Sequence, residues 1–351
     1  MAFPHGNITE FSANFTTLHA WTNLQNAVRD SCADISKRMH GNVMPEPTTS
    51  ASTEPTTQSP GFSLVALAEA LRPAQWVKNG FVFAALIFSQ SLFVWERTER
   101  VALAALLFCF NSSAFYLLND VLDAREDRQH PGKSSRPVAS GRLSPQVALA
   151  VAILLAAGSL VTAWFLDPLF LLVLAVYSLL SALYSSFLKH VMLLDVFVIA
   201  AGFVCRVVAG GVVIHVEISP WLIVCTTMLA LFLALTKRRH ELVSLGENAG
   251  EHRASLARYT PYFLDQLIGV VTAATLMSYS LYTLSADATA KFPGKRLELT
   301  IPFVLLGIFR YLYLVHQASE GGNPTRLLLT DRVLIAVVLL WAAAVAVIIY
   351  I

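Results

Sequence analysis

Residues 145–187 read PQVALAVAILLAAGSLVTAWFLDPLFLLVLAVYSLLSALYSSF, and this stretch decides the fold class. Asp167 is its one charged side chain, and Asp167-Pro168 divides it into two apolar halves. Each half is close to the ~20 residues that an α-helix needs to cross ~30 Å of hydrocarbon. The apolar positions are continuous rather than alternating, which is not the pattern of a membrane β-barrel. The stretch therefore predicts two transmembrane helices that meet at Asp167-Pro168.

The composition of the whole chain agrees with a membrane protein. Of its 351 residues, 56% are hydrophobic and only 14% are charged, and the mean hydropathy is +0.60. Soluble domains carry about 25% charged residues. The net charge of +2 gives no reason to expect a nucleic-acid partner. The four cysteines lie far apart, so neither a disulfide scaffold nor a CxxC metal motif is present in the sequence.

Further apolar runs extend this pattern along the chain. We predict an all-α integral membrane protein, a bundle of about nine transmembrane helices. The predicted spans are residues 76–95, 101–119, 145–166, 169–187, 192–214, 219–236, 264–284, 299–317 and 331–350.

The amino-terminal part of the chain has a different composition. Residues 44–60 read MPEPTTSASTEPTTQSP, a stretch too polar to form a packed core. We predict that residues 1–62 are a disordered cytoplasmic tail and that residues 63–351 form the transmembrane catalytic domain. Translation starting at Met44 is an open alternative for the first 43 residues.

The distribution of Lys and Arg predicts the orientation. The loops after predicted helices 2, 4, 6 and 8 carry 13 of them, whereas the loops after helices 1, 3, 5 and 7 carry 5. Cytoplasmic loops are the ones enriched in Lys and Arg. We therefore expect the even-numbered loops and the amino terminus to face the cytoplasm, as in a protein of the inner (cell) membrane.

Residues 119–137, NDVLDAREDRQHPGKSSRP, carry the most informative motif. Asp120, Asp123 and Asp127 are spaced three and four apart, which places three carboxylates on one face of a helix. Like charges at this spacing repel each other, and a divalent cation would relieve the repulsion. Carboxylates together with a substrate phosphate are the usual environment of Mg²⁺. A purely solvated acidic face is the alternative.

Basic residues follow the acids directly. His130, Lys133 and Arg136 supply donors suited to phosphate, and Arg can bind phosphate through two nitrogens. Acids for a metal and bases for phosphate, within one short segment, predict a diphosphate substrate.

At these residues the sequence resembles the UbiA superfamily of intramembrane prenyltransferases, which carry NDxxDxxxD after the second helix. Residues 71–79 (LRPAQWVKN), 116–120 (YLLND) and 130–133 (HPGK), with Arg136-Pro137, are similar to the decaprenyl-phosphate phosphoribosyltransferase branch. That resemblance implies Mg²⁺-dependent transfer of 5-phosphoribose from phosphoribosyl diphosphate to a polyprenyl phosphate in the membrane. It leaves the oligomeric state open.

The resemblance also supplies site residues. It implies catalytic and metal-binding roles for Asp120, Asp123 and Asp127, and a catalytic role for Lys189. The implied substrate-binding residues are Lys78, Asn119, His130, Lys133, Arg136, Tyr184, Arg206, Lys237 and Arg238.

Two other functions remain open alternatives. A prenyltransferase that moves a polyprenyl chain from its diphosphate to an aromatic acceptor resembles this sequence too, but such enzymes carry a second acidic motif. The equivalent stretch of this chain, residues 184–190 (YSSFLKH), contains no carboxylate. A transporter of an anionic solute is the third possibility, and the chain shows no clear internal repeat that would favour it.

Ionisable residues inside predicted spans are costly unless they are paired. Arg206 lies in span 192–214, three turns after Asp195, so either a pair with Asp195 or a role facing phosphate is open. Arg310 is predicted to be structural or to reach the membrane surface. Ala209-Gly210-Gly211 follows a helix rather than a strand, which favours close helix packing over a phosphate-binding loop.

Overall fold

The structure is a computed structural model, and it describes residues 63–129, 132–246, 255–317 and 324–351. The predicted tail, residues 1–62, and His130 lie outside these ranges. The described part of the chain contains helices and no strand, and it falls within one compact unit. The predicted all-α architecture is confirmed.

Thirteen α-helices make up the described ranges. They are α1 (Leu64–Ala70), α2 (Ala84–Phe88), α3 (Trp95–Leu122), α4 (Ala124–Gln129), α5 (Pro145–Leu166), α6 (Pro168–Ser186), α7 (Leu194–Val212), α8 (Pro220–Leu245), α9 (Pro261–Leu284), α10 (Ala286–Lys291), α11 (Ile301–His316), α12 (Pro324–Thr330) and α13 (Arg332–Tyr350). Short 3₁₀ segments cover Pro73–Phe83, Leu188–His190, Leu256–Arg258 and Leu297–Thr300.

Eight helices in the described ranges are long and apolar enough to cross a membrane, with α11 extended by the 3₁₀ turn before it to Leu297–His316. They are the counterparts of eight of the nine predicted spans. The remaining span, 76–95, is instead a 3₁₀ segment followed by α2, which ends at Phe88. Pro73 begins that segment, and Gln90, with φ of 56°, turns the chain just after α2.

Two spanning helices extend further than their apolar runs. The long α3 begins at Trp95 and contains charged residues in its first turns. Similarly, α8 continues to Leu245, so Lys237 and Arg238 lie on a helix rather than in a loop. Hydropathy locates the buried centre of such a helix and misses its polar ends.

The hairpin of α5 and α6 turns at Asp167 as predicted. The Asp167 carboxylate accepts a hydrogen bond of 2.8 Å from the Phe170 backbone N–H, which caps α6. Pro168 occupies the first position of α6, where its missing N–H removes no helical hydrogen bond. A polar cap and a proline therefore end one membrane helix and begin the next.

Helix α3 is the centre of one half of the bundle. It packs against α5 and against the 3₁₀ segment Pro73–Phe83. Just over half of the apolar window of α3 is buried, compared with about a fifth in α5, α6 and α13. Those outer helices carry large apolar side chains that only lipid can cover, for example Phe165 at 81% exposure. The described chain is an integral, multi-pass membrane protein.

Glycines bring α7 close to the 3₁₀ segment. A Cβ atom added at Gly210 would lie 1.8 Å from the Val82 carbonyl oxygen, closer than any real contact. At Gly211 it would lie 2.4 Å from the Ile218 side chain. The prediction that Ala209-Gly210-Gly211 serves close packing is confirmed.

Loops that alternate along the sequence share one end of the bundle. Arg100 donates to the backbone oxygens of Leu166 and Val213, which joins the turns after predicted helices 1, 3 and 5. At the other end, Lys189 contacts both Asp123 and Ser255, which joins the turns after helices 2, 4 and 6. The acids and most of the cations predicted to bind substrate lie at this second end.

Candidate active site

The acidic motif stands at a break between two helices. Helix α3 ends at Leu122 with Asp123 as its C-cap residue, and α4 begins at Ala124. Backbone hydrogen bonds still join Asn119 to Asp123 and Asp123 to Asp127, so the helical spacing is kept across the break. The three carboxylates nevertheless divide into two groups with different partners.

Asp120 and Asp127 form the first group. Both are buried, with 2% and 3% exposure. The Arg136 Nη1 atom lies 3.2 Å from Asp120 Oδ1 and 2.6 Å from Asp127 Oδ2, so the two carboxylates lie side by side. Arg72 donates to Asp120 as well, and Lys133 Nζ is 4.0 Å from Asp127 Oδ1. These cations compensate charge that burial alone would make costly.

Asp123 faces a different cation. The Lys189 ammonium lies 2.9 Å and 3.2 Å from its two oxygens, and the Asn119 amide donates to it at 2.9 Å. The Asp123 side chain keeps 23% exposure and that of Lys189 keeps 12%. This pair therefore stands at the rim of the site, whereas Asp120 and Asp127 form its floor.

Arg206 is a buried cation with neutral partners. It donates to the Asn79 amide oxygen at 2.7 Å, the Gly202 carbonyl at 2.7 Å and the Tyr177 hydroxyl at 3.0 Å. Its guanidinium also lies over the Tyr177 ring, 4.7 Å from the centroid. Within the described ranges no carboxylate lies at salt-bridge distance from Arg206, so Arg206 and Asp195 do not form an ion pair.

Asp195 instead pairs with Arg238, and both side chains are completely buried. Arg238 donates to Asp195 at 2.7 Å, to Glu241 at 2.5 Å and to the Tyr184 hydroxyl at 3.0 Å. Arg238 thus makes its hydrogen bonds inside the protein. The neighbouring Lys237 is 3.6 Å from Glu241.

Lys78 connects the two cationic regions. It lies near enough to Arg72, Arg206 and the Tyr184 hydroxyl for their charges to act on it, and Lys237 is in turn influenced by Tyr184 and Lys78. Tyr184 therefore hydrogen-bonds to Arg238 and lies within electrostatic range of Lys78 and Lys237. Of the predicted substrate-binding residues, only His130 lies outside the described ranges.

Sequence reasoning missed several residues of this site. Arg72, which binds Asp120, is part of the quoted LRPAQWVKN motif but was not chosen. Asn79 lies beside Lys78 in the same motif and is also absent from the predicted site residues, although it accepts a hydrogen bond from Arg206. Tyr259, whose hydroxyl donates to Asp195 at 3.1 Å, lies in the polar loop after predicted span 219–236, where it belongs to the resembling stretch Tyr259-Thr260, but it is not among the predicted site residues. Arg310 pairs with Asp331 at 2.7 Å, which agrees with a structural role.

Tyr259 lies in the segment before α9, outside the membrane spans. Burial and the adjacent Asp195 charge raise the pKa of the Tyr259 hydroxyl to about 12. The hydroxyl therefore keeps its proton at every physiological pH and donates it to Asp195.

The described residues contain no group of three or more acidic, His or Cys side chains gathered closely enough to hold a metal ion by themselves. They do supply two adjacent buried carboxylates and a third at the rim. Mg²⁺ is commonly bound by one or two carboxylates together with substrate phosphates. This donor set therefore fits a hard divalent cation that arrives with a phosphorylated substrate.

The apolar helices, with carboxylates and cations gathered at one end of the bundle, define a membrane-embedded transferase. The chain belongs to the UbiA prenyltransferase family, whose family model matches residues 80–317.

Relatives with similar sequences carry a more specific name. The decaprenyl-phosphate phosphoribosyltransferase of Corynebacterium glutamicum is 34% identical over 313 residues, covering 87% of this chain and 93% of the relative. The enzyme of the same name from Mycolicibacterium smegmatis is 32% identical over 308 residues, covering 85% of this chain and 96% of that relative.

Solved structures share the fold. A UbiA homologue from Archaeoglobus fulgidus bound to GPP and Mg²⁺ superposes with a TM-score of 0.62 at 19% identity, covering 82% of this chain and all of that one. At this level of identity the similarity establishes the fold alone.

Proposed function

We propose that this protein transfers 5-phosphoribose from phosphoribosyl diphosphate to a polyprenyl phosphate, with Mg²⁺, and releases diphosphate. The observation that carries the proposal is the pair of buried carboxylates, Asp120 and Asp127, held beside Arg72 and Arg136. The names of its relatives, which it matches along most of their length, support the same substrates.

Asp120, Asp127 and Asp123 would hold the metal ion. Bound there together with the diphosphate, Mg²⁺ would neutralise the charge that develops on the leaving group. Lys133, Arg136 and Lys189 contact these acids, and we assign them to the phosphate oxygens of the substrate, since the fork geometry of an arginine such as Arg136 suits phosphate. Asn119 donates to Asp123 at 2.9 Å and would keep that carboxylate oriented.

The reaction needs no strong base. The bond between C1 of ribose and the diphosphate oxygen breaks, and its electron pair leaves with diphosphate. A phosphate oxygen of the lipid, already anionic at neutral pH, forms the new bond to C1. Cations close to both anions are what the site must supply, because electrostatic stabilisation of developing charge is usually the largest catalytic contribution.

A second set of cations suits the remaining phosphates. Arg206 is buried and has neutral partners only, so an anionic ligand would compensate a charge that the described residues do not. Lys78 and Lys237 lie in the same region, near Tyr184. We assign these three cations to the ribose 5-phosphate and the lipid phosphate together. Arg238 is assigned to positioning, since its donors already serve Asp195, Glu241 and Tyr184.

The end of the bundle that carries the acids is proposed to face the cytoplasm of a cell that makes the lipid acceptor in its inner membrane. The loops at that end carry most of the Lys and Arg residues. Phosphoribosyl diphosphate is a soluble, highly charged molecule, so an opening on the cytoplasmic side gives it access without crossing the bilayer.

The experiment is an assay of the purified protein in lipid nanodiscs, with labelled phosphoribosyl diphosphate, polyprenyl phosphate and Mg²⁺. We expect a labelled lipid product that disappears with chelator and with Asp123→Asn. Asp287→Asn, at an exposed position of α10, is the matched control and should keep wild-type activity. Transfer of a prenyl chain to an aromatic acceptor, with no ribosylated lipid, would replace this proposal by the alternative.

A further inference from the structure

Asp195 joins three parts of the end of the bundle that carries the acids, although it stands on α7 and not on the two helices of the motif. It stands in the first turn of α7 with no exposed surface. Its oxygens accept hydrogen bonds from Arg238 at 2.7 Å, from the Tyr259 hydroxyl at 3.1 Å and from Ser255 at 3.4 Å. One carboxylate thus holds the end of α8 and the segment before α9.

One path leads from Asp195 to Tyr184. Arg238 Nε binds Asp195, while Arg238 Nη2 donates to the Tyr184 hydroxyl at 3.0 Å. The guanidinium is planar and its donors have a fixed geometry, so fixing one edge fixes the direction of the other. The orientation of Tyr184 therefore depends on the position of Asp195.

A second path leads to Lys189. The Ser255 hydroxyl shares its one proton between the Lys189 backbone oxygen, at 3.0 Å, and Asp195, at 3.4 Å. The Tyr259 hydroxyl accepts a 2.8 Å hydrogen bond from the Leu193 backbone N–H. Leu193 has φ of 67°, a conformation that a leucine adopts only when its surroundings impose it. Residues 189–193 are thereby held against the segment that Asp195 anchors.

We propose that Asp195 is a positioning residue for the transfer reaction, orienting Tyr184 through Arg238 and fixing Lys189 through Ser255 and Tyr259. This inference rests on the proposed function, in which Lys189 and Tyr184 contact the substrate. Stability alone does not explain the arrangement, because a buried ion pair is often no more stabilising than apolar residues of the same volume.

The test is a mutant cycle that compares the effect of one substitution on kcat/KM in two backgrounds. Asp195→Asn keeps the shape of the side chain and removes its charge. In the wild-type background we expect kcat/KM to fall about 10- to 100-fold, since a misplacement of about 1 Å can cost two orders of magnitude. In a Lys189→Met, Tyr184→Phe background the same substitution should cost no more than about threefold, because coupled residues are strongly non-additive.

Asp265→Asn is the matched control. Asp265 is the partner of Arg239, the arginine next to Arg238 in sequence, and it lies on α9. Removing this acid should change kcat/KM by less than about twofold in either background. Thermal unfolding shows whether Asp195→Asn folds. If it does not, Ser255→Ala and Tyr259→Phe replace it, because each removes one hydrogen bond of the second path. Each of these variants is then measured in the wild-type background and in the Lys189→Met background.

Two outcomes would overturn the inference. One is full activity of Asp195→Asn. The other is a loss of the same factor in both backgrounds, which a purely structural role would produce. Failure of the proposed function is seen separately, in the wild-type protein: if it transfers a prenyl chain instead of phosphoribose, the cycle is measured on that reaction, and the positioning role stands or falls by the same comparison.

Discussion

Gly210→Ala should damage both the bundle and the site, because of one backbone contact. The added Cβ atom would lie 1.8 Å from the Val82 carbonyl oxygen and 2.9 Å from its carbon. A backbone oxygen cannot rotate away as a side chain can. To restore a 3.0 Å separation, α7 and the 3₁₀ segment must move apart by about 1.2 Å.

That displacement reaches the cations directly. Arg206 lies one turn before Gly210 on α7, and Asn79 lies one turn before Val82 on the 3₁₀ segment. Their hydrogen bond is 2.7 Å long, and a shift of this size takes it past the range of a hydrogen bond. Lys78 moves with Asn79, so two of the proposed phosphate-binding cations, Lys78 and Arg206, change position relative to each other.

The expected magnitudes follow from these distances. Overpacking of a core typically costs about 1–3 kcal/mol, and a clash with backbone belongs at the upper end of that range. A misplacement of about 1 Å in a binding site lowers the rate by about two orders of magnitude. We expect a lower thermal unfolding temperature in nanodiscs and a fall in kcat of about 100-fold.

Two other glycines calibrate the measurement. Gly158→Ala places its Cβ atom in open space on α5 and should keep wild-type stability and activity. Gly211→Ala meets the flexible Ile218 side chain, which can move, so its loss should be intermediate. The reasoning fails if Gly210→Ala matches Gly158→Ala in unfolding temperature and stays within twofold of it in kcat.

Three smaller effects can be tested by unfolding experiments. Leu193→Gly should keep or raise stability because φ is 67° there, whereas Leu194→Gly in the helix should lose about 1 kcal/mol. The pKa of Tyr259 is raised from 10.0 to about 12, so the protonated hydroxyl stabilises the fold fully below pH 10, and this contribution is lost as the pH rises through about 12. Tyr259→Phe should not show this loss of stability at alkaline pH. Glu69→Gln breaks an exposed ion pair with Arg142 and should change stability by less than about 1 kcal/mol, the difference shrinking at high salt.

The spanning helices could be predicted from sequence because membrane thickness sets their length, and an apolar run records that length directly. The first predicted span, 76–95, is not one spanning α-helix in the structure, and hydropathy could not have shown this. A hydropathy window counts apolar residues and carries no information on whether they form one α-helix or a 3₁₀ segment with a turn at Gln90. The charged first turns of α3 and the polar last turns of α8 were missed because helices continue past the apolar zone.

The acidic motif could also be identified from sequence, because its residues are neighbours along one chain segment. The partners of the acids are less local. Arg72 is 48 residues from Asp120, and Arg238 is 43 residues from Asp195. Such pairs depend on which helix faces pack against each other, and the sequence around a charged residue does not indicate that packing. Arg206 and Asp195 lie on one helix face by spacing alone, yet packing gives each a different partner.

The order in which the chain is made has a consequence for the site. Domains emerge from the ribosome amino end first. In the described part of the chain the cations that contact Asp120 and Asp127 lie between residues 72 and 136, so a nascent chain synthesised as far as residue 136 already contains them. Asp123 receives its lysine only after the next hairpin, α5 and α6, has entered the bilayer. A chain that stops short of residue 189 therefore has the cations of Asp120 and Asp127 in place but lacks the lysine that binds Asp123, so the acidic motif is only partly neutralised until the second half of the bundle begins.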